Sequence, residues 1–448
     1  MDLVSLIPSF GSAAFTVAAF VIALSIIVAV HEYGHYIVGR WTGIHAEVFS
    51  LGFGPVLFSR QDRRGTQWQI AALPLGGYVR FLGDSNAASA KAGGAMAQMD
   101  AETLRHTMHG APLWARTLTV AAGPVFNFIL SVLVFGVLAF ASGVAVEPPT
   151  VGKLAQLPPA SVQQAELRDG DTILALNGRE TPDFTEFYAA VDALSPEEDA
   201  VYRVLRDGTE TEAVGPYPFP AIATSIQPQS AAHDAGLKEG DVVTAINGQP
   251  INSFSELQEI IGTSKGEPVA LSVWRDGETL AFEMTPRRMD LPTADGGFET
   301  RWLIGMTGGL AFEPETRLPG PLEALNYGVD QLTMIVRSSL SALYHMVTGA
   351  ISSCNLSGPI GIAESSGAAA SQGLSSFVWF IAMLSAAVGL LNLFPVPVLD
   401  GGHLVFYAYE AVTGRQPGER VMRFLMTAGL ALILALMVFA LSNDLFCP

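Results

Sequence analysis

The sequence predicts a polytopic α-helical membrane protein with four transmembrane helices and a pair of small α+β domains on its external face. Three observations carry this reading. Half of the 448 residues are hydrophobic and only 15% are charged, with a mean hydropathy of +0.36, too apolar for a soluble chain of this length. Four stretches lack charge over the roughly 20 residues that a bilayer demands. Between the second and third of them the composition turns polar and the sequence repeats itself.

The uncharged stretches are Leu3–Val30, Thr117–Val146, Ser365–Leu399 and Phe424–Asn443. The first lacks the basic flank of a signal peptide, so it reads as a retained helix. Basic residues orient the set. Arg40, Arg60, Arg63, Arg64, Arg80, Lys91 and Arg105 lie between the first two spans, and Arg415 and Arg420 between the last two. The positive-inside rule puts both loops in the cytoplasm and both termini outside. The apolar but Ser-, Asn- and Gly-containing segment 338–363 reads as external or interfacial, because a fifth span there would reverse everything after it. The net charge of −18 argues against a nucleic-acid partner. The two cysteines, Cys354 and Cys447, are too few for a disulfide framework. Both fall on the external, oxidising side, and the sequence leaves open whether they are bridged.

The polar segment repeats a pattern: "LRDGDTILALNGRETPDFTEF" from Leu167 aligns with "LKEGDVVTAINGQPINSFSEL" from Leu237. Each copy reads as a glycine turn, an alternating strand, an Asn-Gly turn, a short helix and a further hairpin. The pair resembles two PDZ domains, which bind extended peptides at a sheet edge. The expected peptide-binding loop of the second copy contains Gly236, Leu237 and Gly240. The first copy departs from the pattern, with Glu166 where the second has Gly236.

At the end of the first span stands "HEYGH", His31 to His35. On a helix two histidines four apart share one face and can hold one Zn²⁺, with Glu32 beside it to move a proton. Three ionisable groups at a membrane span are costly unless they serve a function. A catalytic zinc takes three protein ligands and keeps one open position. "NLFPVPVLDGGH" offers Asp400 as the third, with His403 as its rival. Spans one and three run in the same direction, so His31, His35 and Asp400 emerge on the same side. The segments 46–60 and 66–83 alternate like strands around "QDRRG".

HExxH in span one, "GPVFN" (Gly123–Asn127) in span two, the PDZ pair and the Asn392–Gly401 motif together resemble the site-2 protease family, most of all its bacterial sigma-E-regulating branch. The resemblance implies a zinc metalloendopeptidase, one Zn²⁺ per chain, embedded in the bacterial inner membrane. Its expected substrates are single-span membrane proteins. They include an anti-sigma factor already cut outside the membrane, in an envelope stress response, and remnant signal peptides. The strand pair is then a cytoplasmic-side re-entrant β-hairpin whose edge pairs with unwound substrate. Asn392, Asn127, Pro395 and Pro397 are expected to support the site or its intermediate. Some family members carry another asparagine shortly before the one matching Asn392; here "SAAVGLLN" lacks it. The competing reading is a non-catalytic PDZ membrane adaptor with a structural metal.

The expected organisation is a first transmembrane helix over 1–36, a β region over 37–112 and a second helix over 113–146. PDZ domains follow over 147–217 and 218–290, then an external linker with amphipathic helices over 291–374. The third helix, ending in LDG, covers 375–400, a cytoplasmic loop 401–422 and the fourth helix 423–443.

Overall fold

The four apolar stretches become helices long enough to cross a bilayer: α1 (Leu6–Trp41), α3 (Leu113–Ser142), α10 (Leu374–Asn392) and α12 (Glu419–Phe446). They expose large apolar side chains, such as Phe15 and Ile22 on α1, Leu133 and Val137 on α3, and Val438 on α12. Such faces suit lipid rather than water, and the chain is a polytopic membrane protein. This computed structural model describes residues 6–84, 99–162, 165–227, 230–293 and 298–447; Lys91 lies outside them. The chain forms two units, Met1–Leu138 with Pro321–Pro448, and Ala139–Gly320.

In the first unit, α1 is followed by β1 (Ala46–Gln61) and β2 (Gln67–Phe81). Both strands bend, and the pair acts as four segments. Val48, Phe49, Ser50 and Leu51 each have two partners, one within Gly77–Arg80 and one within Gln67–Ile70. Residues 77–81 therefore form one outer edge, and Val56–Gln61 the other. The bend carries exposed Phe53, Leu57, Phe58, Leu73 and Leu75. A short α2 (Ala101–Arg105) leads to α3. Later, α8 (Pro321–Val347) and α9 (Pro359–Ser371) occupy the region around 338–363. Cys354 and Cys447 are bridged. Beside them the Asp444 carboxylate accepts from the Gly358 and Ile360 N–H groups at the start of α9.

The expected third span is too long. α10 stops at Asn392, and after a turn through Pro395 and Pro397 a separate helix, α11 (Asp400–Thr413), begins at Asp400. Proline at 395 and 397 cannot donate the helix hydrogen bonds that would carry α10 onward. What read as a loop over 401–422 is thus mostly helix.

The second unit is built from two copies of one layout. After β3 (Val144–Ala145), β4 (Val151–Leu154) and α4 (Pro159–Val162), the first copy runs β5 (Thr172–Leu176), β6 (Arg179–Glu180), α5 (Phe184–Asp192), β7 (Ala200–Arg206) and β8 (Thr209–Gly215). After β9 (Ser225–Ile226) and α6 (Ala231–Ala235), the second runs β10 (Val242–Ile246), β11 (Gln249–Pro250), α7 (Phe254–Thr263), β12 (Val269–Arg275) and β13 (Glu278–Met284). The sheet orders are β6-β5-β7-β8 and β11-β10-β12-β13. Both Asn-Gly turns hold asparagine at positive φ, 45° and 52°. Each copy also pairs a buried aspartate with a partly exposed arginine. Arg206 meets Asp171 at 2.6 Å, and Arg275 meets Asp241 at 2.6 Å. Hydrogen bonding to Asp241 raises the Arg275 guanidinium above its ordinary range. Phe187 and Tyr202 fill the first core, and Leu237, Ile246 and Leu257 the second.

The stretch after 291 differs from the expected linker. β14 (Arg287–Pro292) and β15 (Phe298–Leu303) form a hairpin. The chain then revisits both copies: β16 (Met306–Thr307) pairs with β9, β17 (Phe312–Pro314) with β4, and β18 (Thr316–Arg317) with β3. These strands are too short for periodicity to reveal, because each gains its partner from far away in sequence.

Candidate active site

α1, α3 and α11 bring one cluster together. His31 Nε2 lies 3.1 Å from His35 Nε2 and 3.1 Å from Asp400 Oδ2, and His35 Nε2 lies 3.5 Å from the same oxygen. The imidazoles stand edge to face, 4.8 Å apart. Among the described residues this is the one group of three or more suited to hold a metal ion.

The outer nitrogens explain why the inner ones converge. His35 Nδ1 lies 2.8 Å from the Thr119 carbonyl and donates to it, which leaves Nε2 with a bare lone pair. His31 Nδ1 lies 3.3 Å from the Asn127 amide. A half-turn of that amide presents Oδ1 instead of Nδ2. With Oδ1 accepting from His31 Nδ1–H, an oxygen otherwise buried without a partner is satisfied. Two lone pairs and a carboxylate oxygen then face one another at the half-buried wall of a cavity, an arrangement that a cation satisfies. A tetrahedral zinc with bonds of about 2.0–2.1 Å separates its ligand atoms by about 3.3 Å. The observed spacings bracket that value, and Asp400 Oδ2 has no hydrogen-bond donor of its own.

Local sequence makes this convergence possible. α3 passes the histidines at Gly123, where a Cβ would lie 2.5 Å from His35 Cε1 and 2.8 Å from His31 Cε1. α1 crosses α3 at Gly34, whose absent side chain would lie 2.5 Å from the Ala122 carbonyl oxygen. The Gly401-Gly402 pair lets α11 start directly under the preceding turn. A Cβ on Gly401 would strike the Leu393 and Phe394 carbonyls, and one on Gly402 would lie 2.5 Å from Pro397 Cα. α11 is also pinned to α3, since Arg116 makes a two-pronged pair with Glu410 at 2.7 and 3.1 Å.

A cavity of about 260 Å³ opens beside the cluster, lined by Glu32, Gly77, Tyr78, Val79, Asn392 and His403, among others. Glu32 lies against the strand edge there, since a Cβ on Gly77 would lie 3.2 Å from its Cγ. Among the described residues, no strand pairs with the cavity side of Gly77–Phe81. Asn392 lines the cavity while one of its amide N–H groups donates to Val388. His403 shares the wall but not the ligand cluster. Pro395 and Pro397 do not line the cavity; they form the turn above Asp400.

The loop expected to capture peptide in the second repeat is not free to do so. Leu237 is buried in the core. The N–H groups of Gly236, Leu237, Lys238, Gly240 and Asp241 already donate within the unit, and the Gly236 carbonyl accepts from Arg275. Too few amides remain there to cradle a carboxylate. In the first copy Glu166 supplies the equivalent carbonyl, to Arg206, so its departure from glycine leaves this backbone contact intact.

Fold and cluster together define a membrane-embedded metallohydrolase, and comparison with known proteins gives its family. The model for peptidase family M50 matches residues 19–436. A protein of Agrobacterium fabrum named "Putative zinc metalloprotease Atu1380" is 35% identical over 433 residues, 96% of this chain and 95% of that one. The regulator of sigma-E protease RseP of Salmonella typhimurium is 32% identical over 456 residues, 95% of this chain and 97% of its own. The chain belongs to peptidase family M50, the site-2 proteases. It is a zinc metalloprotease of the membrane, with zinc as its cofactor.

Proposed function

We propose that the protein cuts single-span membrane proteins within their membrane segments, with His31, His35 and Asp400 holding the zinc and Glu32 moving the proton. The observation that carries the proposal is the triangle of Nε2, Nε2 and Oδ2 atoms at 3.1–3.5 Å. Bound zinc supplies Lewis acidity toward a water and toward the scissile carbonyl. Glu32 takes the proton of the attacking water and returns it to the amide nitrogen as the C–N bond breaks. Asn392 keeps a second amide N–H for the substrate carbonyl, and Asn127 holds the His31 ring.

A transmembrane helix must unwind before it can be cut, and its freed backbone groups need partners. The cavity-side edge of Gly77–Phe81 offers them by strand addition. The exposed apolar bend of β1 and β2 supports reading this element as a re-entrant hairpin on the cytoplasmic side. The double α+β unit, taken as a PDZ pair outside the inner membrane, acts as a gate against substrates with bulky external domains. An anti-sigma factor already trimmed externally is the expected substrate, with remnant signal peptides a second class.

The test is Glu32→Gln in purified full-length protein, incubated with a single-span substrate. Cleavage should disappear while zinc stays near one per chain. A non-catalytic adaptor would show no cleavage in either form, and cleavage by the variant would remove Glu32 from its role.

A further inference from the structure

Two cavities lie along α1, one against the strands of the β1–β2 pair and one at the helix end beside residues 43–45 and α2, and neither shares a lining residue with the proteolytic cleft. The lower, about 340 Å³, is lined by Arg40, His45, Thr103 and His106, among others. The upper, about 440 Å³, has almost wholly apolar walls that include Tyr33, Phe49, Leu51, Phe58, Trp68 and Ile70. Ala29, Tyr33, Tyr36 and Arg40 follow one another at helical spacing on one stripe of α1, and the seven steps from Tyr33 to Arg40 rise about 10 Å. The strand side keeps the same order, with His45 at the base and Phe49 and Leu51 above. A cationic base therefore sits one lipid-headgroup depth from an apolar slot, along an axis set by a membrane-spanning helix.

Charge singles out this pair of cavities in a chain of net charge −18. The Arg63-Arg64 turn reaches its rim, because a Cβ on Gly65 would lie 3.7 Å from His45 Cε1. Both arginines are exposed, and among the described residues neither side chain has an ion-pair partner. The nearby carboxylate, Asp62, accepts from Tyr36, Trp68 and the Arg64 and Thr66 N–H groups, so its charge is already engaged. Arg40 spends one N–H on Tyr36 and keeps the others. Trp41, beside it, is 73% exposed, as suits an aromatic residue at headgroup level. Basic pockets at this depth bind anionic lipid headgroups.

We infer that this pair of cavities binds an anionic phospholipid, its phosphate held by Arg40, His45 and His106 and one acyl chain lying against Phe58 and Trp68. Charge complementarity favours a lipid over a substrate helix, since an apolar helix would leave the cationic base unmatched.

The experiment uses the full-length zinc-loaded protein in detergent, with phosphatidylglycerol and phosphatidylcholine of identical chains. Native mass spectrometry reads which lipid is retained, and chain-brominated versions read proximity by quenching tryptophan fluorescence. Wild type should prefer phosphatidylglycerol. Arg40→Gln should cut the preference about fivefold, and Arg63→Gln with Arg64→Gln by a similar factor per charge, from about 1 kcal/mol for each basic residue near a membrane surface. Trp68→Phe should remove the lipid-selective part of the quenching. The surface double variant decides the matter should Arg40→Gln fail to fold, and retained zinc reports folding in each. Equal retention of both lipids by wild type would overturn the inference. So would displacement of the lipid by inorganic phosphate, which marks a simple anion site, or by a single-span substrate, which marks the groove as the substrate's.

Discussion

Gly123→Ala is the sharpest probe of the metal cluster, because it adds one methyl group where α3 touches both imidazoles. The new carbon would lie 2.5 Å from His35 Cε1 and 2.8 Å from His31 Cε1, short of the 3.4 Å at which ordinary contact begins. The histidines or the helix must move by about 1 Å. Metal ligands tolerate displacements of about 0.2 Å, so zinc affinity should fall at least as far as when outer-shell partners are lost, about 10–100-fold. Cleavage at saturating zinc should fall by about 100-fold, the usual cost of a 1 Å misplacement. Helix propensity works the other way, since alanine inside a helix is favoured over glycine by about 1 kcal/mol. A lost metal therefore cannot be blamed on a weakened α3. The assay is zinc per chain across a series of chelator buffers, with turnover of a single-span substrate beside it. Gly262→Ala on α7, where an added Cβ meets nothing within 4 Å, serves as the control. A Gly123→Ala protein with wild-type zinc affinity and turnover would refute the placement of α3 against the histidines.

Three further outcomes are expected. Asp400→Asn should lose zinc under mild chelation while His403→Ala keeps it, as measured by metal analysis; the reverse would make His403 the third ligand. Arg116→Gln leaves Glu410 only 17% exposed and without its partner, and should cost about 3–5 kcal/mol, most of it recovered by adding Glu410→Gln in denaturant unfolding. Leu237→Ala should destabilise the second α+β repeat by about 2–5 kcal/mol, visible as faster limited proteolysis of the full-length protein.

Much of this was legible in the sequence because the chemistry is carried by side chains at fixed spacing. His31, Glu32, His35 and Asp400 stand out as ionisable groups beside uncharged runs. The four spans follow from absent charge, and the repeat from its own self-similarity. What stayed hidden depends on backbone or on distant partners. The Thr119 carbonyl orients His35, yet any residue type offers a carbonyl. Gly34 sits inside the HExxH motif as an unspecified position, and its need appears only when Ala122 is seen across from it. The end of α10 was misplaced because Leu393–Leu399 is as apolar as the helix before it; only Pro395 and Pro397 warned of the break. The glycine loop of the second repeat looked like a ligand cradle because sequence does not show that its amides are already spoken for.

The pairing of β3 with β18 sets Val144 opposite Arg317 and Ala145 opposite Thr316. The whole α+β insert thus enters and leaves through a neck two strands wide, its ends one strand spacing apart, about 5 Å. A linker of a few residues should therefore be enough to replace the cassette without stretching the chain on either side. The same neck forbids a cut at 290, since an insert trimmed there loses the strands that close both of its halves.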